Sequence, residues 1–158
     1  MMTSSIEVLR DVEALYFAYA DAIDHDIDTW PDLFTDDAIY KAIPRENYDR
    51  GFPLAAIGCE GRGMILDRAM AVRSTTVYAE RYMRHAITNI RVIDGDAHLL
   101  EARANFAIYE TLERSTTRLF AVGRYIDTIE RRDDGLKFKQ KLCVIDGNIV
   151  IGSLIYPV

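Results

Sequence analysis

Residues 84–110, RHAITNIRVIDGDAHLLEARANFAIYE, hold the pattern that decides the fold. Leu100, Ala102, Ala104, Phe106 and Ile108 alternate with Glu101, Arg103, Asn105 and Tyr109, the period of two expected of a long strand with one buried face. Asp94-Gly95-Asp96 is hairpin-turn chemistry, so a strand from His85 to Ile93 should run antiparallel to it. Glu113-Arg114-Ser115 then separates a third strand, Thr117 to Arg131, and Asp133-Asp134-Gly135 makes the next turn. In the fourth strand Leu136, Phe138, Leu142 and Val144 alternate with Lys137, Lys139 and Lys141. This lysine row reads as a solvated face or as protection of a sheet edge.

Upstream the period changes to 3.6. Ser4 and Glu7 have the spacing of a capping box. Val8, Val12, Leu15, Tyr16, Tyr19 and Ile23 recur at steps of three and four, predicting an amphipathic helix from about Ser5 to Asp24. The acidic stretch DHDIDTWPDLF follows, with a short helix around Pro31 to Phe34 and a strand near Ala38 to Ala42. Pro44 to Gly63 holds two prolines and four glycines and reads as a long irregular loop of the functional or interface-forming kind. A second helix, about Arg62 to Ser74, carries Ile65, Ala69 and Val72 on one side. Helices first and then four long antiparallel strands make an α+β chain. A strongly curved sheet wrapped around the N-terminal helices would bury both apolar sets.

The 158 residues fit one domain, 1–158, with no repeat or internal boundary. Nine Tyr, six Phe and one Trp supply an ordinary globular core. The formal charge of −6, with both signs interspersed, gives a nucleic-acid role no electrostatic support. The start, MMTSSIEVLRD, has no signal-peptide pattern, and no stretch approaches the ~20 apolar residues of a membrane span. A cytoplasmic location is expected. Cys59 and Cys143, the two cysteines, stand far apart and read as buried thiols.

Candidates for chemistry are few. The three histidines, His25, His85 and His98, lack the spacings of a helical metal site, and a two-histidine, one-carboxylate centre has no basis in the pattern. No nucleophile elbow is present, and GCEGRG fits neither nucleotide fingerprint. His85 stands out because it opens a strand, with Ile87 and Asn89 on the same face by the period of two. Inside a cone it could meet Tyr19, Asp24 or Tyr40, and a His–Asp–Tyr group could serve a dehydratase or isomerase as acid and base. The competing reading is a hydrogen-bonded structural histidine.

YFAYADAID (16–24), WPDLF (30–34), RENYDRGFPLAAIGCEGRG (45–63), YMRHAITNIRV (82–92) and FAVGRYIDTIERRDDGLKFKQKLCVIDG (120–147) occur in that order. Over nearly its whole length the chain resembles the small (β) subunit of aromatic-ring-hydroxylating dioxygenases. That family lies in the cone-shaped, cystatin-like superfamily shared by nuclear transport factor 2 and scytalone dehydratase. The ENYDRG wording resembles the branch acting on benzoate-like and salicylate-like acids. The resemblance implies a structural subunit with no cofactor of its own. It places the Rieske 2Fe-2S cluster and the mononuclear iron in a large (α) partner subunit, with three of each in the assembly and self-association of this chain as a trimer. It transfers no catalytic residue here. The paired Cys and His motifs of a Rieske cluster are indeed missing. Arg45, Tyr48, Arg50, Phe52 and Trp30 become candidate subunit contacts by residue type, with Trp30 equally suited to the core. Two alternatives stand beside this reading: a stand-alone dehydratase or isomerase using His85, Asp24 and Tyr19, and a small-ligand-binding protein using the same cavity.

Overall fold

The first helix, α1 (Ser5–His25), buries Val12, Leu15, Tyr16, Tyr19, Ala22 and Ile23 along one side, the stripe expected from the 3.6-residue period. These coordinates are a computed structural model, which describes residues 5–75, 80–147 and 154–158. The proposed cap at Ser4 lies outside the described residues. A 3-10 turn (Ile27–Leu33) carries the chain into strand β1 (Phe34–Pro44), longer at both ends than the sequence reading.

The stretch expected to be an irregular loop is more ordered than its glycines and prolines suggested. It contains a short helix, α2 (Arg45–Asp49), and a strand, β2 (Ile57–Glu60). Ile57 and Cys59 face the core while Gly58 and Glu60 do not, so four residues suffice to cover the edge of β1. Helix α3 (Arg62–Met70) runs on through a π turn, Ala71–Thr75. Ile65, Ala69 and Val72 are all buried there, as their spacing implied.

The long strands follow: β3 (Arg81–Gly95), β4 (Leu99–Leu112), β5 (Thr117–Arg132) and β6 (Gly135–Ile145). They form one six-stranded sheet in the order β2-β1-β6-β5-β4-β3. All neighbours are antiparallel except β1 and β6, which are parallel. The inner face of β4 is Leu100, Ala102, Ala104, Phe106 and Ile108, all buried. At Gly123 a Cβ would collide with the Val144 carbonyl oxygen on β6 and lie 2.7 Å from the Phe106 ring on β4, so the packing of β5 between them requires glycine there.

Two bulges revise the strand faces. On β3, Thr88 pairs with Asn105 and Arg91 with Arg103, leaving two residues opposite Ala104 alone. Asn89 takes the left-handed φ of 55° that such an insertion demands. His85 and Ile87 therefore face inward, but Asn89 is exposed rather than sharing their face.

On β6, Phe138 pairs with Ile129 and Gln140 with Thr128, so Lys139 is the extra residue. The alternation read from Leu136 to Val144 is broken at that point. Phe138, Lys141, Cys143 and Ile145 share the interior, and the expected row of three solvated lysines loses its third member. Lys141 is fully buried. Lys137 and Lys139 keep to the rim, paired with Asp134 and with Asp37 and Glu130.

Candidate functional site

His85 meets a carboxylate from the last turn of α1. Asp24 Oδ1 lies 2.6 Å from His85 Nδ1, and Asp24 Oδ2 accepts the His85 backbone N–H at 2.8 Å. With Asp24 accepting, the ring proton sits on Nδ1. The His85 side chain is 0 % exposed and that of Asp24 6 %, and His85 Nε2 has no hydrogen-bond partner among the described residues. The pair ties the C-terminal end of α1 to β3 by a two-point contact.

Tyr19, the third member of the acid–base group considered from sequence, bonds elsewhere. Its hydroxyl donates to the Val158 carbonyl, which also accepts from the Cys143 thiol at 3.2 Å and the Tyr40 hydroxyl at 3.3 Å. The Val158 N–H in turn donates to the Tyr40 oxygen at 2.8 Å. Val158 is fully buried, and Arg68 on α3 holds the same segment by donating to the carbonyls of Leu154 and Ile155 at 3.0 and 2.7 Å. Pro157 and Val158 are thus buried in the interior among α1, β1 and β6, with residues 154–156 half-buried on the way in. Burial pushes the Cys143 thiol up to about 12, so it remains a protonated donor.

Beside this plug lies a group that sequence reasoning missed. Lys141 and Asp127 are direct cross-strand partners, with Nζ 2.9 Å from Oδ2 and both side chains 0 % exposed. The Tyr16 hydroxyl donates to the same carboxylate oxygen at 2.5 Å. The ammonium is caged by the rings of Tyr125, Tyr19, Phe138 and Tyr16, at 3.6, 4.3, 4.4 and 4.7 Å from their centroids. Burial raises the Asp127 carboxyl above its ordinary value, opposed by Lys141 and Tyr16. Burial raises the Tyr16 hydroxyl far above the usual phenol range, with the Asp127 charge adding to it. A second buried carboxylate, Glu110, is clamped by Arg81 at 2.9 Å and Arg118 at 2.6 Å. An aspartate in the apolar run RYIDTIE was the available signal for Asp127. The β6 bulge hid its lysine.

The other sequence candidates divide. Trp30 is fully buried, edge-on to Phe34 and Tyr40 with centroids 5.3 and 5.1 Å away, so its side chain belongs to the core and the proposed contact role at Trp30 is corrected. Arg45, Arg50 and Phe52 are exposed around α2, with Tyr48 half-buried and Leu54 exposed beside them. Arg45 pairs weakly with Asp49 and Asp146, and Arg50 with Glu46 at 3.0 Å.

Among the described residues no three His, Cys, Asp or Glu side chains converge to hold a metal. A Rieske donor set does not fit here either. Cys143 is committed to Val158, His85 to Asp24, and Cys59 is buried apart on β2. No described helix is long and apolar enough to cross a membrane.

The described residues form an α+β cone, a six-stranded sheet closed over the apolar face of α1. Residues 20–151 match the model of the ring hydroxylating beta subunit family, and the chain belongs to that family. It is 27 % identical to the anthranilate 1,2-dioxygenase small subunit of Burkholderia cepacia, over 99 % of this chain and 98 % of that one. A β subunit assigned to an aromatic-ring-hydroxylating dioxygenase of Novosphingobium aromaticivorans superposes with a TM-score of 0.86 at 28 % identity, covering 96 % and 97 % of the two chains. A Novosphingobium aromaticivorans protein assigned as a scytalone dehydratase shares the fold at 17 % identity, with a TM-score of 0.74 and coverage of 94 % and 90 %.

Proposed function

We propose that the chain is a non-catalytic structural subunit, acting as one domain, that supports assembly of an aromatic-ring-hydroxylating dioxygenase with an iron-bearing large subunit. Three copies of each would form the complex, with this chain trimeric in it. The Rieske cluster and the mononuclear iron would belong to the partner, and the complex would be cytoplasmic.

The observation that carries the reading is the filled interior. Val158, bonded by Tyr19, Tyr40 and Cys143, and the caged Lys141–Asp127 pair lie where a stand-alone cone enzyme would need a substrate cavity. The His85–Asp24 pair is closed to solvent as well, so neither the dehydratase alternative nor the cavity-binding one gains support. Similarity to an anthranilate dioxygenase small subunit suggests an aromatic acid as the substrate handled by the assembly.

The test is co-expression with the large subunit encoded beside it, followed by size-exclusion chromatography and a ring-hydroxylation assay on anthranilate. Co-elution in a complex that turns over supports the proposal. Separate elution of two competent chains refutes it.

A further inference from the structure

The outward face of the sheet carries a cationic pocket, with Tyr48, one of the candidate subunit contacts, on its wall. Arg91 and Arg103 are directly opposed across β3 and β4, and Asn105 is opposed to Arg124 across β4 and β5. The bulge with Asn89 in the left-handed region sits immediately before Arg91. These five side chains and Tyr48 line a cavity of about 340 Å³. The Arg124 guanidinium lies over the Tyr48 ring, 5.6 Å from its centroid.

Like charges directly opposite one another in a sheet are unfavourable, and the chain's own acids answer them poorly. Glu101 approaches Arg103 no closer than 3.6 Å and Asp49 approaches Arg124 no closer than 3.7 Å, both pairs being solvent-exposed. Arg91 has no ion-pair partner among the described residues. Three guanidinium groups and two amides converging on one concavity match an oxyanion, since the guanidinium fork pairs with carboxylate or phosphate in bidentate fashion. Tyr48 and Ile126 add an apolar wall against which an organic body can lie.

We propose that this pocket binds a small organic anion, its carboxylate or phosphate held among Arg91, Arg103 and Arg124. The site is on the opposite side of the sheet from the filled interior and is independent of His85. It goes beyond the assembly role and does not depend on it.

The test is isothermal titration calorimetry at low ionic strength, with sodium benzoate and inorganic phosphate as separate probes. Saturable binding of either probe is expected, benzoate alone marking an organic acid and phosphate alone a phosphate ester. Arg91→Ala and Arg103→Ala should each weaken it about tenfold or more, while Arg84→Ala, exposed on the same strand outside the pocket, should leave it unchanged. No saturable binding, or equal weakening by Arg84→Ala, overturns the proposal. The titration is repeated on the complex with the large subunit. Retained binding supports the site. Binding present in the free chain but abolished in the complex overturns the small-ligand reading and assigns the pocket to a subunit contact. Failure of the chains to associate would refute the assembly role without touching the titration of the free chain.

Discussion

Asp127→Ala is the most informative single perturbation of this fold. It removes the carboxylate from an ion pair whose two side chains are both 0 % exposed, with Nζ and Oδ2 2.9 Å apart. Breaking such a pair typically costs about 3–5 kcal/mol, because an uncompensated charge stays buried. Here the orphaned ammonium keeps four aromatic rings within 4.7 Å. A desolvated cation over rings recovers about 2 kcal/mol, which places the expected loss at the lower end, ~3 kcal/mol. For a chain of this length that corresponds to roughly 3 °C in Tm per kcal/mol, or about 9 °C. Replacing both partners with apolar residues, Asp127→Leu with Lys141→Met, removes the buried charge as well as its partner. Losing the buried charges gains up to about 4 kcal/mol and leaving the Tyr16 hydroxyl without its acceptor costs about 1–3 kcal/mol, so the double variant should lie close to the wild type and above Asp127→Ala. Urea unfolding of the three chains, with a double-mutant comparison, reads all of this directly. Asp127→Ala unfolding within about 1 kcal/mol of wild type would refute the reasoning, as would a double variant weaker than the single one.

Four further outcomes follow from the same geometry. Burial holds the folded Asp127 carboxyl above its unfolded value of about 4. The unfolded chain therefore releases that proton first, and the wild type's advantage over Asp127→Asn should be fullest below pH ~4 and decline as pH rises through the folded value; denaturation across pH 3–7 checks the sign. His85→Ala removes the imidazole bond to Asp24 while the backbone N–H bond stays, and leaves the half-satisfied carboxylate beside a cavity, so it should lower unfolding stability by about 1–3 kcal/mol in urea titration. With Cys143 raised to about 12 and Cys59 raised by burial, neither thiol should react with iodoacetamide at pH 8 unless urea unfolds the chain, which mass spectrometry detects. Phe52→Glu with Leu54→Glu, both well exposed beside α2, should leave thermal unfolding unchanged while reducing co-elution with the large subunit at least several-fold.

The features legible in the sequence were those set by local periodicity and turn chemistry. Val12, Tyr16, Tyr19 and Ile23 on α1 and the alternate residues Leu100, Ala102, Ala104, Phe106 and Ile108 on β4 lie buried as their spacing required, and the connections fall next to the expected turns, at residues 96–98 and 133–134. The losses came where one inserted residue changes the phase. The bulge at Lys139 turned Lys141 from an expected surface lysine into the centre of the core, and the one before Arg91 moved Asn89 out of the His85 face. Strand β2 was hidden because four residues among glycines carry too little alternation to register. For the site, a carboxylate from the end of α1 was a foreseeable partner for His85, and Asp24 supplies it. The Val158 plug depends on contacts across more than a hundred residues, which no local pattern encodes.

The account rests most heavily on the claim that this chain supports an oxygenase without contributing a catalytic group. The direct measurement is ring-hydroxylation turnover per mole of iron, in purified complexes built with the wild-type chain and with the His85→Ala, Tyr19→Phe double variant. Equal turnover, within about twofold, in complexes of the same size is the expected result. A correctly sized complex whose turnover per iron falls tenfold or more would place His85 or Tyr19 in the chemistry and contradict it.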